Sequence, residues 1–252
     1  MFSRKNIEFT AHPDLLNVKE IQPIPTKHRL PDWYKKIPKN NHTEGLTIKS
    51  CMPFLDSITA GYVLPLPQDF YLKWNYYNEE LKQNDCFYRY SLHGSINIDK
   101  INEYNLNSNE PQTHSIHQLG GKDSFITKKN GGFNFLKILN PWIIKTPPGY
   151  SCLFTSPYYN ENDYFDIITG IVDTDKFKFP INFPIVVNTD KYPTFEKTFK
   201  KGTPYVQVIP FKRDSWEMNM GKYKVNTNVL YSYFSNFMDR YKNMFWTKKS
   251  WK

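Results

Sequence analysis

A mainly β fold is what this sequence predicts, and three observations carry the prediction. From Leu46 onward the apolar residues come in short runs separated by turn formers: "LTIKSCM", "GYVLPL", "FYLKWNYY", "CFYRYSL", "FLKILN", "WIIKT", "SCLFTS", "DIITGIV", "FPIVVNT" and "YVQVIPF". Aromatic residues make up 17% of the chain, so much of the core must be built from side chains that suit a pleated surface. Helical spacing of apolar residues is sustained in only one long segment, near the end of the chain. Many short strands of this kind point to a barrel or a sandwich.

Residues 1–45 hold "IQPIPTKHRLPDWYKKIPKNNH", whose four prolines forbid long helices and predict an extended arm wrapped on the body. A short helix is expected at "LPDWYKKIP" with Pro31 at its first position, and Trp33 and Tyr34 should anchor it. Residues 46–225 are expected to form one β domain, since 252 residues suffice for a single sizeable core with decoration. Within it, the polar, Asn- and Gly-rich stretch 99–132 reads as loop more than core. In residues 226–252, Val229, Leu230, Tyr233, Phe234, Phe237, Met238, Tyr241 and Phe245 fall at the three-and-four spacing of an amphipathic helix, with Thr227 or Asn228 as its cap. That helix is expected to dock on the β body.

A formal net charge of +9 would attract phosphates or acidic surfaces. Yet arginine occurs only at Arg4, Arg29, Arg89, Arg213 and Arg240, and no compact Arg-rich or glycine-aromatic motif accompanies the charge. Nucleic acid is therefore disfavoured as a partner. Cys51, Cys86 and Cys152 are an odd set without a CxxC spacing, which argues against a disulfide framework or zinc knuckle and for a reducing cytoplasm. No run of eighteen apolar residues predicts a membrane span, and the sequence names no cofactor.

Four segments carry a family resemblance by their order. "ITAGYVL" (58–64) resembles the Ser-Ala-Gly-Tyr-Asp-Leu motif of trimeric dUTPases and their dCTP-deaminase relatives, and "IKTPPGYSCLF" resembles their Ile-Pro-Pro-Gly-Tyr turn. "GIVDTDKF" is similar to Gly-Val-Ile-Asp-x-Asp-Tyr, and "FKKGTPYVQVIPF" to the Lys-Lys-Gly-Asp-Arg-Ile-Ala-Gln-Leu-Ile strand. The resemblance implies a jelly-roll-like β-barrel, a threefold homo-oligomer and an insertion at about 67–137. It places Asp173 at the water-activating carboxylate and Gly61, Tyr62, Ser156, Phe177 and Gln207 at ligand-binding positions. The strings "TPPGYS", "VDTD" and "GTPYVQVIPF" also resemble those of uncharacterised phage and bacterial proteins, which implies a phage-encoded protein of the host cytoplasm or virion but no activity.

The departures from that family are chemical. Val63 stands where an acid helps place metal-bound phosphates, and an apolar side chain can hold no cation. "TSPYYN" keeps Ser156 of an Arg-Ser-Ser phosphate motif but has Thr155 and Pro157 for its neighbours. Lys176 occupies the base-stacking position, with Phe177 one place late, and no glycine-rich segment closes the sequence. Asp173 and Asp175 also fit an ordinary role as turn acids that accept nearby backbone amides. His114 and His117, three apart, have no neighbouring acid or cysteine to complete a metal set.

Three function classes follow. The first is a catalytically silent β-barrel that binds a partner, a nucleotide or a protein, or assembles into a larger body. A nucleotide-processing enzyme of altered chemistry using Asp173 is second, and a metal-dependent enzyme using His114 and His117 third.

Overall fold

The computed structural model describes residues 5–41, 43, 45–90, 113–222 and 240–252. The N-terminal segment contributes β1 (Glu8–Thr10), α1 (Pro13–Leu16), β2 (Ile24–Pro25) and α2 (Asp32–Lys36). A minimal hairpin of β3 (Asn40–Asn41) and β4 (Gly45–Leu46) leads through α3 (Met52–Thr59) to β5 (Tyr62–Pro65). Then come β6 (Phe70–Asn78), β7 (Gln83–Tyr90), β8 (Thr113–His114), α4 (Phe125–Lys129), β9 (Phe135–Ile138) and β10 (Ile143–Lys145). The rest of the body is β11 (Tyr150–Thr155), β12 (Phe165–Ile167), β13 (Gly170–Val172), β14 (Phe183–Val187), β15 (Phe195–Phe199) and β16 (Pro204–Lys212). A last helical turn, α5, spans Arg240–Met244.

The fold is mainly β, and all of its described strand pairs are antiparallel. Among the described residues the strands form separate sheets rather than one closed barrel. The largest has the order β13-β11-β16-β5-β2, beside sheets β12-β14-β9-β8 and β15-β6-β7 and the pairs β1-β10 and β3-β4. No described helix is long and apolar enough to cross a membrane.

Alternation explains how the sheets share one core. On β6, Phe70, Leu72 and Trp74 point inward at period two, and Phe165 and Ile167 do the same on β12. Four consecutive residues of β16, Tyr205–Val208, are buried because the strand lies between β11 and β5 and is covered on both faces. Phe154, Ile185, Val187 and Phe199 complete the same cluster, which Leu15 and Ile21 of the N-terminal segment also enter. Within 67–137, β6 and β9 thus supply central core residues.

Several local expectations change. The run "LTIKSCM" is not one strand: Leu46 ends β4, a 3-10 turn spans Ile48–Ser50, and α3 begins at Met52. Pro53 in the first turn and Met52, Leu55 and Ile58 at threefold spacing explain the helix. "DIITGIV" divides into β12 and β13, and the charged "FEKTF" forms β15, whose Lys197 and Phe199 pair with Leu72 and Phe70. Pro31 is the N-cap of α2 rather than its first residue; Tyr34 is buried, and Trp33 donates its indole N–H to the Tyr159 carbonyl at 3.0 Å.

Of the expected C-terminal helix, the positions Val229, Leu230, Tyr233, Phe234, Phe237 and Met238, and the caps Thr227 and Asn228, lie outside the described residues. Tyr241 and Phe245 are exposed. The end of the chain nevertheless docks: Trp246 Nε1 and Lys249 Nζ donate to Asp56 Oδ2 at 3.0 and 2.6 Å, and Tyr62 Oη donates to the Lys252 carbonyl at 3.1 Å.

Candidate functional site

The four segments of the family resemblance fall together. β5, β11, β13 and β16 are neighbours in the five-stranded sheet, so residues far apart in sequence meet at one end of it. β11 and β16 pair from Tyr150↔Lys212 to Thr155↔Gln207. This register carries Arg213, just past the end of β16, over the Pro-Pro-Gly turn, where its amide donates to the Gly149 carbonyl at 2.9 Å.

Arg213 then organises both acids of "VDTD". Its guanidinium forms a forked pair with Asp175, Nη1 donating to Oδ1 at 2.8 Å and Nη2 to Oδ2. Nη1 also lies 3.1 Å from Asp173 Oδ1 and donates to the Tyr150 carbonyl and Ser151 Oγ, each at 3.0 Å. Ser151 Oγ donates to Asp173 Oδ1 at 2.7 Å, and the Gly149 amide to Asp175 Oδ2 at 2.8 Å. Asp175 therefore accepts a backbone amide as a turn acid does, whereas the Asp173 carboxylate accepts from side chains. The turn itself is closed by the Asp173 carbonyl, which accepts from the amides of Lys176 and Phe177.

These contacts fix the protonation states. The Arg213 hydrogen bonds are the main cause that holds the Asp175 carboxyl down to about 2, and the Ser151 hydroxyl, aided by Arg213, lowers Asp173. Both are carboxylates at neutral pH. Beneath them Thr146 and Thr174 share a hydroxyl hydrogen bond of 2.7 Å, and Thr174 donates to the buried Cys152 sulfur at 3.3 Å.

Of the remaining residues singled out by the resemblance, Gln207 and Tyr62 lie on strands of the same sheet, and Gly61, Ser156 and Phe177 lie in the connections that flank its strands. Gln207 is fully buried, its Nε2 donating to the Ser57 and Ala60 carbonyls at 3.1 and 2.8 Å and its Oε1 accepting from the Tyr158 amide at 3.1 Å. Val63, its cross-strand partner, is buried on the same face. Gly61 has φ +67°, and a β-carbon there would stand 1.9 Å from the Val208 carbonyl oxygen. The Tyr62 ring meets Phe9 and Trp251 edge-on, with centroids 5.4 and 6.3 Å apart. Ser156 Oγ accepts from the Ile167 amide at 2.8 Å, and Phe177 is exposed against Phe179. His114 Nδ1 and Gln118 Oε1 are 2.9 Å apart, and no described group of three or more His, Cys, Asp or Glu is placed to hold a metal ion.

A second feature adjoins Ser156. A cavity of about 230 Å³ opens where the Asx-rich loop "NENDYFD" (160–166) meets β14 and β16. Phe165 and Tyr205 are buried at its floor, and Ser156, Asn162, Asp163, Asp166 and Asn188 supply polar walls. Lys191 and the Tyr192 hydroxyl hold Asp163, and Lys129 meets Asp166 at 3.1 Å. At its rim Tyr159 has φ +58°, a left-handed conformation that costs an L-residue about 1–2 kcal/mol. The Trp33 indole N–H and the Phe54 ring, its centroid 4.7 Å from that of Tyr159, hold this residue in place.

Arg213 and this cavity are what sequence reasoning passes over. The density of Asn and Asp in "NENDYFD" was a signal for the cavity, but the role of Arg213 depends on strand register, which no local motif records. Compared with protein-family models, curated proteins and solved structures, the chain finds no match in any of the three.

Proposed function

We propose that this chain is a non-catalytic binding or assembly protein whose β architecture is related to the dUTPase-type jelly roll. Support for the relationship comes from the adjacency of β13, β11, β16 and β5, the strands that carry the four resembling segments. The observation that carries the functional reading is the engagement of Arg213 with Asp175 and Asp173. A general base for water needs a pKa near the working pH and a reachable substrate proton. Asp173 is instead lowered, and the oxygen that meets Ser151 also faces Arg213. The Gln207 amide and the Ser156 acceptor are likewise committed to backbone groups. A triphosphate transition state requires cations, donors and usually a metal aimed at the developing charge.

Surfaces suited to a partner support the second half of the proposal. The irregular segment after β16 exposes Trp216 by 91%, Met218 by 85% and Met220 by 93%, and Ile171 on edge strand β13 is 64% exposed. Aromatic and Met side chains this open favour protein contact, and a closed homo-oligomer, with a trimer favoured, is the simplest occupant. The test pairs two measurements on the full chain. Pyrophosphate release from dUTP or dCTP with magnesium should stay at background, and light scattering should return a multiple of the 30.0 kDa chain mass. Several turnovers per second would overturn the non-catalytic reading, and a monomer at all micromolar concentrations would remove the homo-oligomer.

A further inference from the structure

We infer that the cavity beside Tyr159 is a binding site for a neutral polyhydroxylated compound the size of one sugar ring. Of the residues that the dUTPase resemblance places at catalytic or ligand-binding positions, the site includes only Ser156, and it does not depend on the chain assembling with itself.

Size sets the first limit. About 230 Å³ lies below the roughly 300–1,000 Å³ of pockets that take drug-sized ligands, so one ring fits and a disaccharide does not. Charge sets the second. Each of the two acids lining the cavity faces a lysine, Asp163 with Lys191 and Asp166 with Lys129, so the local field favours neither an anion nor a cation.

Hydrogen-bonding capacity then selects the class. Asp166 Oδ1 and Asn188 Oδ1 are acceptors without a partner among the described residues, since Asp166 uses Oδ2 for Lys129 and Asn188 uses Nδ2 for the Asp163 carbonyl. Asn162 accepts from the Tyr164 amide through Oδ1 and keeps its amide donors, and Ser156 accepts from Ile167 and keeps its O–H. Two acceptors and two donors on one small wall match hydroxyl groups, each of which both donates and accepts. A phosphate would want donors alone, and an ammonium acceptors alone. The Phe165 floor and the Tyr159 ring offer apolar faces for the C–H side of a ring.

The backbone of Tyr159 supplies a separate argument. A bulky residue held at φ +58° persists only where its surroundings over-determine it, and such residues cluster at ligand sites. Trp33 and Phe54 hold it from outside the cavity, so the ring stands at the rim as a preset wall.

The experiment titrates the full chain with glucose, galactose, mannose and ribose, with inorganic phosphate and spermidine as charged probes, followed by saturation-transfer NMR and calorimetry. At least one sugar should bind saturably in the millimolar range or tighter, and the charged probes should not. Asn162→Ala and Tyr159→Gly should each weaken that sugar about tenfold or more, the size expected when one hydrogen bond or one ring contact is removed. Tyr159→Gly suits the left-handed backbone, so it remains decisive if Asn162→Ala fails to fold. The inference is overturned if no sugar saturates, if phosphate or spermidine saturates instead, or if a folded variant binds the sugar as tightly as the parent.

Discussion

Replacing Gln207 by Leu separates a structural amide from a ligand-binding one. The side chain is fully buried and joins three backbone groups, the Ser57 and Ala60 carbonyls at the end of α3 and the Tyr158 amide in the loop after β11. Leucine nearly conserves volume, so the loss comes from hydrogen bonds rather than from a cavity. The Ala60 carbonyl keeps the Thr26 hydroxyl at 2.9 Å, and the Ser57 carbonyl keeps the Ala60 amide at 3.4 Å, but the Tyr158 amide loses its acceptor. Three bonds at about 1 kcal/mol each give an expected loss of about 2–4 kcal/mol. Urea unfolding at neutral pH, with the slope checked for two-state behaviour, measures it. Gln207→Glu sharpens the test, because an ionised carboxylate would face two carbonyl oxygens. Its folded-state pKa should be raised, so the stability of that variant should be greatest in acid and fall as pH rises through the folded pKa. A loss within about 0.5 kcal/mol for Gln207→Leu, the range of a surface substitution, would refute the clamp.

Three further outcomes are expected. The folded pKa of Asp175, about 2, lies below its ordinary 3.8, so its contribution is fully present above about pH 4 and is lost as pH falls toward 2. Arg213→Met should lower stability at neutral pH and flatten that acid limb in pH-dependent melting, and an unchanged limb would contradict the pairing. Gly61→Ala should cost at least about 2 kcal/mol, since the added carbon meets a backbone carbonyl at a left-handed φ; a neutral melting temperature would refute the close approach. Burial pushes the Cys86 and Cys152 thiols up to about 12 and 11, so both should react slowly with a disulfide reagent at pH 8 in the native protein and rapidly once unfolded. Fast native modification at Cys152, identified by mass spectrometry, would contradict its burial.

What was legible in the sequence was what is encoded locally. Phe70, Leu72 and Trp74 announce a half-buried strand by alternation, and "YVQVIPF" announces a strand covered on both faces by its continuity. The strand β15 is hidden because Lys197 shares the inward parity of Phe195 and Phe199, its ammonium lying over the Tyr164 ring, and only its pairing with β6 makes it a strand. The helix α3 is hidden because its first residue, Met52, closes the run "LTIKSCM", which reads equally well as β. At the acids the limits of local reading are sharper. "VDTD" predicts a turn, and the turn is there, but the charge that neutralises it arrives from Arg213, 38 residues beyond Asp175, through the β11–β16 register. The cavity likewise joins the stretch 156–166 to Asn188 and Tyr205, which come from later in the chain.

Carboxyl-detected NMR decides whether the acids of "VDTD" belong to the fold or to a catalytic site. With selectively labelled aspartate, Asp175 should titrate near 2 and Asp173 below 3.8, with neither midpoint moved by dUTP and magnesium. A midpoint for Asp173 in the neutral range, or a shift of either carboxyl on adding the nucleotide, would contradict their place in the fold.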